Sequence, residues 1–177
     1  MNIKFAIRSL LYRKQSKAYY WNLRQKARTC GFAPLRWYYA HKHERLMEKH
    51  NASIPYTTEI AGAPTFPHGI SGIFISAGAQ IGRDCVIFHQ VTIGSNTLPG
   101  SKNTGFPVIG DHVYIGAGAK IIGGITIGNH VRIGAGCVVT QDIPDNATVV
   151  MERPRIIVKD EPQDNRFVSQ EQLRRQV

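Results

Sequence analysis

Residues 109–139 read IGDHVYIGAGAKIIGGITIGNHVRIGAGCVV, with an isoleucine at every sixth position from Ile109 to Ile133. Glycine follows most of these isoleucines, and a small or β-branched residue stands four positions after each of them. A period of six matches neither the 3.6-residue period of an α-helix nor the two-residue alternation of a half-buried strand. It is typical of a parallel β-helix, in which each hexapeptide forms one short side and equivalent positions stack into buried columns.

The same period extends upstream, and it is broken twice. Its other apolar positions are Ile54, Ile60, Phe66, Ile75, Ile81, Ile87, Ile93 and, at the far end, Val139. Phe66 and Ile75 are nine residues apart, three too many for one hexapeptide. Ile93 and Ile109 are sixteen apart, so a loop rich in Gly, Pro, Asn and Ser must leave the coil around residues 95–107. We interpret this loop as functional and mobile, with an inert surface insertion as the alternative.

We predict three parts in the chain: a basic helical segment (1–53), a β-helix domain (54–158) and a polar tail (159–177). Aromatic and aliphatic residues recur at helical spacing in the first part, and Pro34 is placed to open a helix that runs toward His50. The first 53 residues carry 12 basic and 2 acidic groups, which accounts for the whole formal charge of +10. This charge predicts a solvated helical face or contact with an anionic membrane, and no recognised nucleic-acid motif accompanies it.

Composition also limits the cellular setting. No apolar run approaches the roughly 18 residues that span a bilayer, and the N-terminus lacks the features of a secretory signal. Cys30, Cys85 and Cys137 are too few and too scattered for a disulfide framework or a zinc motif. Cys85 and Cys137 fall at the inward-pointing small positions, so we interpret them as core residues. A cytoplasmic protein, at most associated with the inner face of a membrane, is the expectation.

Two histidines lie at equivalent positions of neighbouring coils. If three hexapeptides make one triangular coil, His68 and His89 each follow a stacked apolar residue by two positions, with their backbones roughly 5 Å apart. The three inserted residues come directly after His68, and we expect the pair to face the long loop. His68 is therefore the candidate catalytic residue, with His89 beside it. We interpret the remaining histidines as surface residues: His41, His43, His50, His112 and His130.

Four stretches, residues 68–75, 91–94, 109–120 and 133–144, resemble the serine acetyltransferase group of hexapeptide acyltransferases. The resemblance covers about residues 54–158 and is closest to the members found with capsule and exopolysaccharide biosynthesis. It implies a mainly β fold, a left-handed parallel β-helix. It also implies acetyl-CoA as co-substrate without a metal, and a homotrimer with active sites between neighbouring subunits. A dimer of trimers stays open.

The resemblance implies that His68 is the catalytic residue. His89 would orient His68 or contact the acceptor, the molecule whose hydroxyl receives the acetyl group. It implies that acetyl-CoA lies along Ala117 and Ala135, which should stack on adjacent coils. Glycines would let the pantetheine arm approach the backbone closely. The family's Gly-x-Pro-Ala-Arg/Lys near the end reads Glu152-Arg153-Pro154-Arg155 here, so we expect Arg153, Arg155 or Lys159 near the phosphates of CoA. The glycines in question are Gly94, Gly116 and Gly134.

Departures from the family's pattern bear on the acceptor. Where serine acetyltransferases carry an aspartate before the catalytic histidine and another in the first hexapeptide, this chain has Pro67 and Ser53; Phe106 replaces a loop histidine. The predicted acceptor is therefore a saccharide hydroxyl in capsule or exopolysaccharide biosynthesis, with L-serine as the alternative. A non-catalytic β-helix scaffold is the alternative of another class. A zinc-dependent carbonic anhydrase of the same fold is disfavoured by the histidine spacing.

Overall fold

The computed structural model describes residues 19–166, 168, 169, 171 and 174 of the 177-residue chain. Helix α1 includes residues 19–29, and helix α2 spans Ala33–Lys49. Pro34 lies in the first turn of α2, where its missing N–H has no intrahelical partner to lose, as the sequence predicted. The helical prediction for residues 1–18 lies outside the described residues.

Short strands follow the helices along the described part of the chain. They are β1 (Glu59–Ile60), β2 (Phe74–Ile75), β3 (Gln80–Ile81), β4 (Val86–Ile87), β5 (Thr92–Gly94), β6 (Val108–Ile109), β7 (Tyr114–Ile115), β8 (Lys120–Ile122), β9 (Thr126–Ile127), β10 (Arg132–Ile133), β11 (Val138–Val139) and β12 (Thr148–Val149).

The strands form three parallel sheets. We name them sheet I (β1-β3-β6-β9), sheet II (β4-β7-β10-β12) and sheet III (β2-β5-β8-β11). The chain passes from sheet III to sheet I to sheet II and then climbs one coil, so each strand pairs with the equivalent strand of the next coil. This is the left-handed parallel β-helix that the six-residue period and the family resemblance predicted.

The core consists of the predicted columns. Every apolar residue of the six-residue series is at most 6% exposed, from Ile54 to Val139. The second series of small and β-branched residues is buried as well, and it includes Cys85 and Cys137, whose assignment to the core is confirmed. Each strand therefore has one inward position and an outward neighbour, as expected for a sheet that buries one face.

The corner between sheets I and II is polar. Asp84, His112, His130 and Asn146 adopt positive φ there, between 53° and 60°, which lets the chain turn tightly. Beside them, carboxylate or amide oxygens accept backbone N–H groups from the preceding coil: Asp111 from Arg83 (2.7 Å), Asn129 from Asp111 (2.8 Å) and Asp145 from Asn129 (2.7 Å). His112 and His130 stack at 4.8 Å and are exposed, which confirms their interpretation as surface residues.

The two helices pack onto the first coil through a core that includes Tyr20 and Met47. Arg24 is fully buried; it donates through Nη2 to the carbonyl of Thr58, which also accepts from Arg28. Among the described residues, no helix is both long and apolar enough to cross a membrane.

His43 is 1% exposed, so the prediction that it lies on the surface is wrong. Its ring packs between those of Tyr20 and Tyr56, at 5.8 and 6.0 Å. Burial, with a smaller contribution from the charge of Arg24, lowers the pKa of His43 to about 4. No local sequence pattern indicates this burial, because it arises from the docking of the helices on the coil.

Candidate active site

At the corner between sheets II and III, each coil contributes one residue at the equivalent position. Phe66, Ile87, Ile115, Ile133 and Val149 stack in register, because their strands and bridges pair one above another. The residue two positions after each of them starts the turn into the next sheet. We call this series the corner column: His68, His89, Ala117, Ala135 and Met151.

At one end of the corner column, His68 and His89 are in direct contact. Their Nδ1 atoms lie 2.9 Å apart and their ring centroids 4.9 Å apart. A hydrogen bond at this distance requires one Nδ1 to donate and the other to accept. The Nε2 atom of each ring takes no part in this bond. The structure thus brings together the two histidines that the spacing placed on adjacent coils.

The three inserted residues hold His68 in a fixed turn. Gly69 and Gly72 have φ of 79° and 66°, the left-handed region that glycine adopts without strain. Between them Ile70 is buried in the core, and the N–H of Gly72 donates to the carbonyl of Asn51 at 3.1 Å, just past the end of α2. The bulge is therefore anchored both to the core and to the helical segment.

Aromatic rather than acidic side chains surround the histidine pair. The ring of Phe88 meets His68 edge to face at 5.2 Å, and Tyr114 lies 5.2 Å beyond Phe88. No carboxylate from residues 19–166 hydrogen-bonds to either histidine. The third group that orients a catalytic histidine is often an acid, but here the only side chain hydrogen-bonded to His68 within that range is His89.

The predicted alanines lie farther along the corner column. The N–H of Gly118 donates to the carbonyl of His89 at 3.1 Å, and the N–H of Gly136 donates to that of Ala117 at 2.9 Å. Ala117 and Ala135 therefore stack on adjacent coils, one and two coils beyond His89, or about 5 and 10 Å at the usual strand spacing. Ala135 is exposed and Ala117 is half-buried.

Of the three glycines expected to line acetyl-CoA, two lie beside the corner column and one does not. A Cβ on Gly116 would lie 2.6 Å from the backbone nitrogen of Ala135, so close stacking of the coils itself requires glycine there. Gly134 adjoins the corner column too, with a less crowded site. Gly94 lies at the opposite end of β5, and one protomer does not bring it to the column. Arg155 lies in the exposed stretch after β12, four residues beyond Met151.

The long loop leaves the coil at a different corner, between sheets III and I. Asn96 and Gly105 exchange two backbone hydrogen bonds of 2.9 Å, and Asn103 binds the carbonyl of Thr140. Phe106 lies against Gly78, where a Cβ would come within 2.6 Å of its ring. Within one protomer this loop does not face the histidine pair, contrary to our expectation, because its own hydrogen bonds hold it to the corner from which it emerges.

Sequence reasoning missed Phe88, Tyr114 and Met151 at this site. The six-residue period reports the inward positions, and Phe88 and Tyr114 are outward neighbours of Ile87 and Ile115. The register between coils identifies the two aromatic residues. Tyr114 pairs with Val86 of the preceding coil, and Val86 and Phe88 flank the inward residue Ile87 on the same outer face.

Comparison with known proteins agrees with the fold. Residues 106–141 match the family described as bacterial transferase hexapeptide (six repeats). A serine acetyltransferase of Mycobacterium tuberculosis is 40% identical over 103 residues, 58% of this chain and 44% of that protein. An Escherichia coli K12 protein, provisionally named colanic acid biosynthesis acetyltransferase WcaB, is 44% identical over 94 residues, 53% of this chain and 56% of that protein.

A solved serine acetyltransferase in complex with CoA superposes with a TM-score of 0.52 and 30% identity, over 75% of this chain and 48% of that one. The chain spans about half the length of the curated relatives it matches. Most of the other similar relatives also carry the name serine acetyltransferase. The repeat region of this chain is therefore serine acetyltransferase-like.

Proposed function

We propose that this chain is an acetyl-CoA-dependent O-acetyltransferase with His68 as its general base. The observation that carries the proposal is the 2.9 Å contact between His68 and His89 at an accessible corner. The same column continues to Ala117 and Ala135, where the resemblance places acetyl-CoA. The match to acetyltransferases and the likeness to a CoA-bound serine acetyltransferase support it.

The reaction needs a base because a neutral hydroxyl is a weak nucleophile toward a thioester. His68 keeps a proton on Nδ1, which it donates to Nδ1 of His89, and its Nε2 accepts the proton of the acceptor hydroxyl. As that proton leaves, the oxygen forms a bond to the acetyl carbon. The carbon–sulfur bond then breaks, and the proton on Nε2 passes to the departing CoA thiolate.

In this scheme His89 is a positioning residue. Its Nδ1 accepts from His68, which fixes the imidazole ring and selects the tautomer with a free Nε2. The same hydrogen bond stabilises the imidazolium that His68 becomes during the reaction. Neither an acyl-enzyme nor a metal ion enters these steps.

The comparisons and the site favour different acceptors. Because most named relatives are serine acetyltransferases, they favour L-serine, the alternative acceptor. The site favours a saccharide hydroxyl. Pro67 and Ser53 stand where the resemblance expects acids, and no carboxylate from residues 19–166 is hydrogen-bonded to the histidines. We propose a saccharide acceptor in capsule or exopolysaccharide biosynthesis, a class to which the 44% identical WcaB relative is also assigned by name.

The test is release of CoA from acetyl-CoA by the wild type and by His68→Ala, with L-serine and a panel of sugars as acceptors. His112→Ala is the matched control, since His112 is also exposed and stacked on a second histidine but at another corner. Turnover that His68→Ala loses and His112→Ala keeps supports the proposal and names the acceptor class. Turnover that survives His68→Ala overturns the assignment of the base.

A result without turnover is settled by calorimetric titration with acetyl-CoA. Failure to bind it favours the non-catalytic scaffold and overturns the proposed activity.

We further propose that the enzyme is a cytoplasmic homotrimer, or a dimer of trimers, whose N-terminal segment contacts anionic membrane. Phe32, in the turn before α2, and Trp37 and Tyr38, on α2, are exposed, and Lys42 lies 5.5 Å over the ring of Tyr38. Exposed aromatic side chains beside cations suit a lipid–water interface. Flotation with anionic vesicles, compared with neutral ones and with Trp37→Ala, tests the contact, and absence of flotation with anionic vesicles rejects it.

A further inference from the structure

Two outward-facing aromatic rings form a strip that begins at the proposed base. Phe88 meets His68 edge to face, and Tyr114 continues the strip at the next coil, each step being 5.2 Å between ring centroids. We call Phe88 and Tyr114 the aromatic strip. It lies on the outer face of sheet II, whose inward residues Ile87 and Ile115 are completely buried.

The strip does not serve the core. The side chain of Tyr114 is 42% exposed, while the core under it is already closed by Ile115 and its neighbours. Aromatic side chains that remain exposed beside convergent polar groups are typical of ligand sites. In register beyond Tyr114 stands Arg132 on β10, so the strip ends at a cation rather than at a carboxylate.

We propose that the aromatic strip is the acceptor subsite and binds a saccharide ring, in an inference that rests on the proposed O-acetyltransfer. A pyranose presents one face of C–H bonds, and the negatively polarised face of an aromatic ring attracts such a surface. A sugar stacked on Phe88 and Tyr114 has hydroxyl groups at its rim, and the rim nearest Phe88 is within one ring width of His68.

L-serine fits the strip poorly. It has no extended apolar face to stack, and its ammonium group needs an acidic partner, whereas the charged group in register with Tyr114 is Arg132. Arg132 suits the hydroxyls or the carboxylate of a sugar instead. The strip therefore gives a reason, independent of Ser53 and Pro67, for a saccharide acceptor.

The test separates acceptor binding from catalysis. Binding of methyl glucoside, methyl galactoside and methyl glucuronoside is measured by saturation-transfer NMR without acetyl-CoA, on the wild type, Tyr114→Ala, Tyr114→Phe and His68→Ala. Phe74→Ala is the matched control, because Phe74 is equally exposed, at 44%, on the outer face of sheet III.

We expect at least one glycoside to bind the wild type, Tyr114→Phe, Phe74→Ala and His68→Ala alike, and to bind Tyr114→Ala about ten-fold more weakly. In turnover with that sugar, KM for the acceptor should rise by the same factor in Tyr114→Ala, while KM for acetyl-CoA stays constant. His68→Ala should bind the sugar but not acetylate it. Loss of turnover with sugar binding intact would thus count against the mechanism and not against the subsite.

Three results would overturn the subsite: no glycoside binds the wild type, Tyr114→Ala binds as tightly as the wild type, or Tyr114→Ala changes the native mass measured by light scattering. The last result would show that a second copy of the chain covers the strip.

Discussion

At the residue scale, two identical side chains in contact have different proposed roles: His68 is the base and His89 positions it. We predict that His89→Leu lowers kcat about 100-fold with little change in KM, because His68 loses the acceptor that fixes its tautomer. His89→Asn should recover part of the loss, since its Oδ1 takes the place of Nδ1 as an acceptor. Steady-state kinetics on both variants decide the matter, and a fully active His89→Leu would remove His89 from the mechanism.

Gly116 offers a prediction about stability alone. A methyl group there would lie 2.6 Å from the backbone nitrogen of Ala135 and 2.9 Å from the carbonyl oxygen of Ile133. Neither backbone atom can move away without distorting the coil. Gly116→Ala should therefore lower the free energy of unfolding by about 1–3 kcal/mol, as overpacking does. Urea denaturation measures this loss, with Gly31→Ala as the control because no atom beyond the adjacent residues lies within 4 Å of the added methyl. Equal stability of both variants would contradict this account of the corner.

The burial of His43 predicts a pH dependence of stability. Its pKa is about 4 in the folded protein against the ordinary 6.5, so between these values the unfolded chain binds a proton that the folded chain does not. Stability should fall as pH falls through this window and be unaffected by this group above it. The neighbours that set the shift are Tyr20 and Tyr56 in ring contact and the cation Arg24.

Thermal unfolding at pH 7 and pH 5 tests the effect in the wild type and in His43→Gln. The difference in Tm between the two pH values should shrink in His43→Gln and stay unchanged in His41→Gln, whose side chain is exposed. An undiminished difference in His43→Gln would assign the pH dependence to other groups.

At the element scale, α1 docks on the first coil through a buried cation. Among the residues that the structure describes, Arg24 has one hydrogen bond, to Thr58, and its Nε and Nη1 atoms are buried there without a partner. We predict that Arg24→Met is as stable as the wild type or more so, because the cost of burying the charge disappears. Arg24→Ala should lose about 2–4 kcal/mol through the cavity that it leaves. Chemical denaturation compares the two, and equal losses would mean that the charge itself holds the helix.

The elements differ in how far the sequence could predict them. The strands were predictable because Ile109 to Val139 repeat the inward position without interruption, and the helix start was predictable from Pro34. The long loop was located correctly by its spacing, but its hydrogen bonds to Thr140 and Gly124 join residues from different coils. His43 and Arg24 escaped prediction for the same reason, since their burial depends on packing between elements that no local pattern reports.

For the site, periodicity identified the histidine pair. His68 and His89 are 21 residues apart, which is one coil of 18 residues plus the three inserted residues, so the two side chains stack on adjacent coils. Periodicity could not identify the strip of Phe88 and Tyr114, because outward positions vary freely in type. The assignment of Gly116 to the ligand came from the family resemblance, and close stacking against the next coil gives a second reason for glycine there. The pairing register of the strands, known only from the structure, shows which residues of different coils lie next to each other.

At the scale of the whole molecule, several apolar side chains remain uncovered in one protomer. Ile156, Ile157 and Val158 are 85%, 62% and 86% exposed in succession, and Val138 on sheet III is 67% exposed. We predict a native mass of three times the 19.7 kDa chain by light scattering. Ile157→Asp should lower that mass, whereas Phe32→Asp, in the turn between the two helices, should leave a mass of at least a trimer. A monomeric wild type would contradict the trimer.

The stacked corner column has a further consequence for how this scaffold changes over time. Neighbouring positions along it are separated by one strand spacing, about 4.8 Å, and no smaller step exists without breaking the register of all three sheets. The distance from His68 to any group bound farther along is therefore quantised. A shift toward longer or shorter ligands requires the gain or loss of a whole turn of about 18 residues, whereas single substitutions change only what stands on each step.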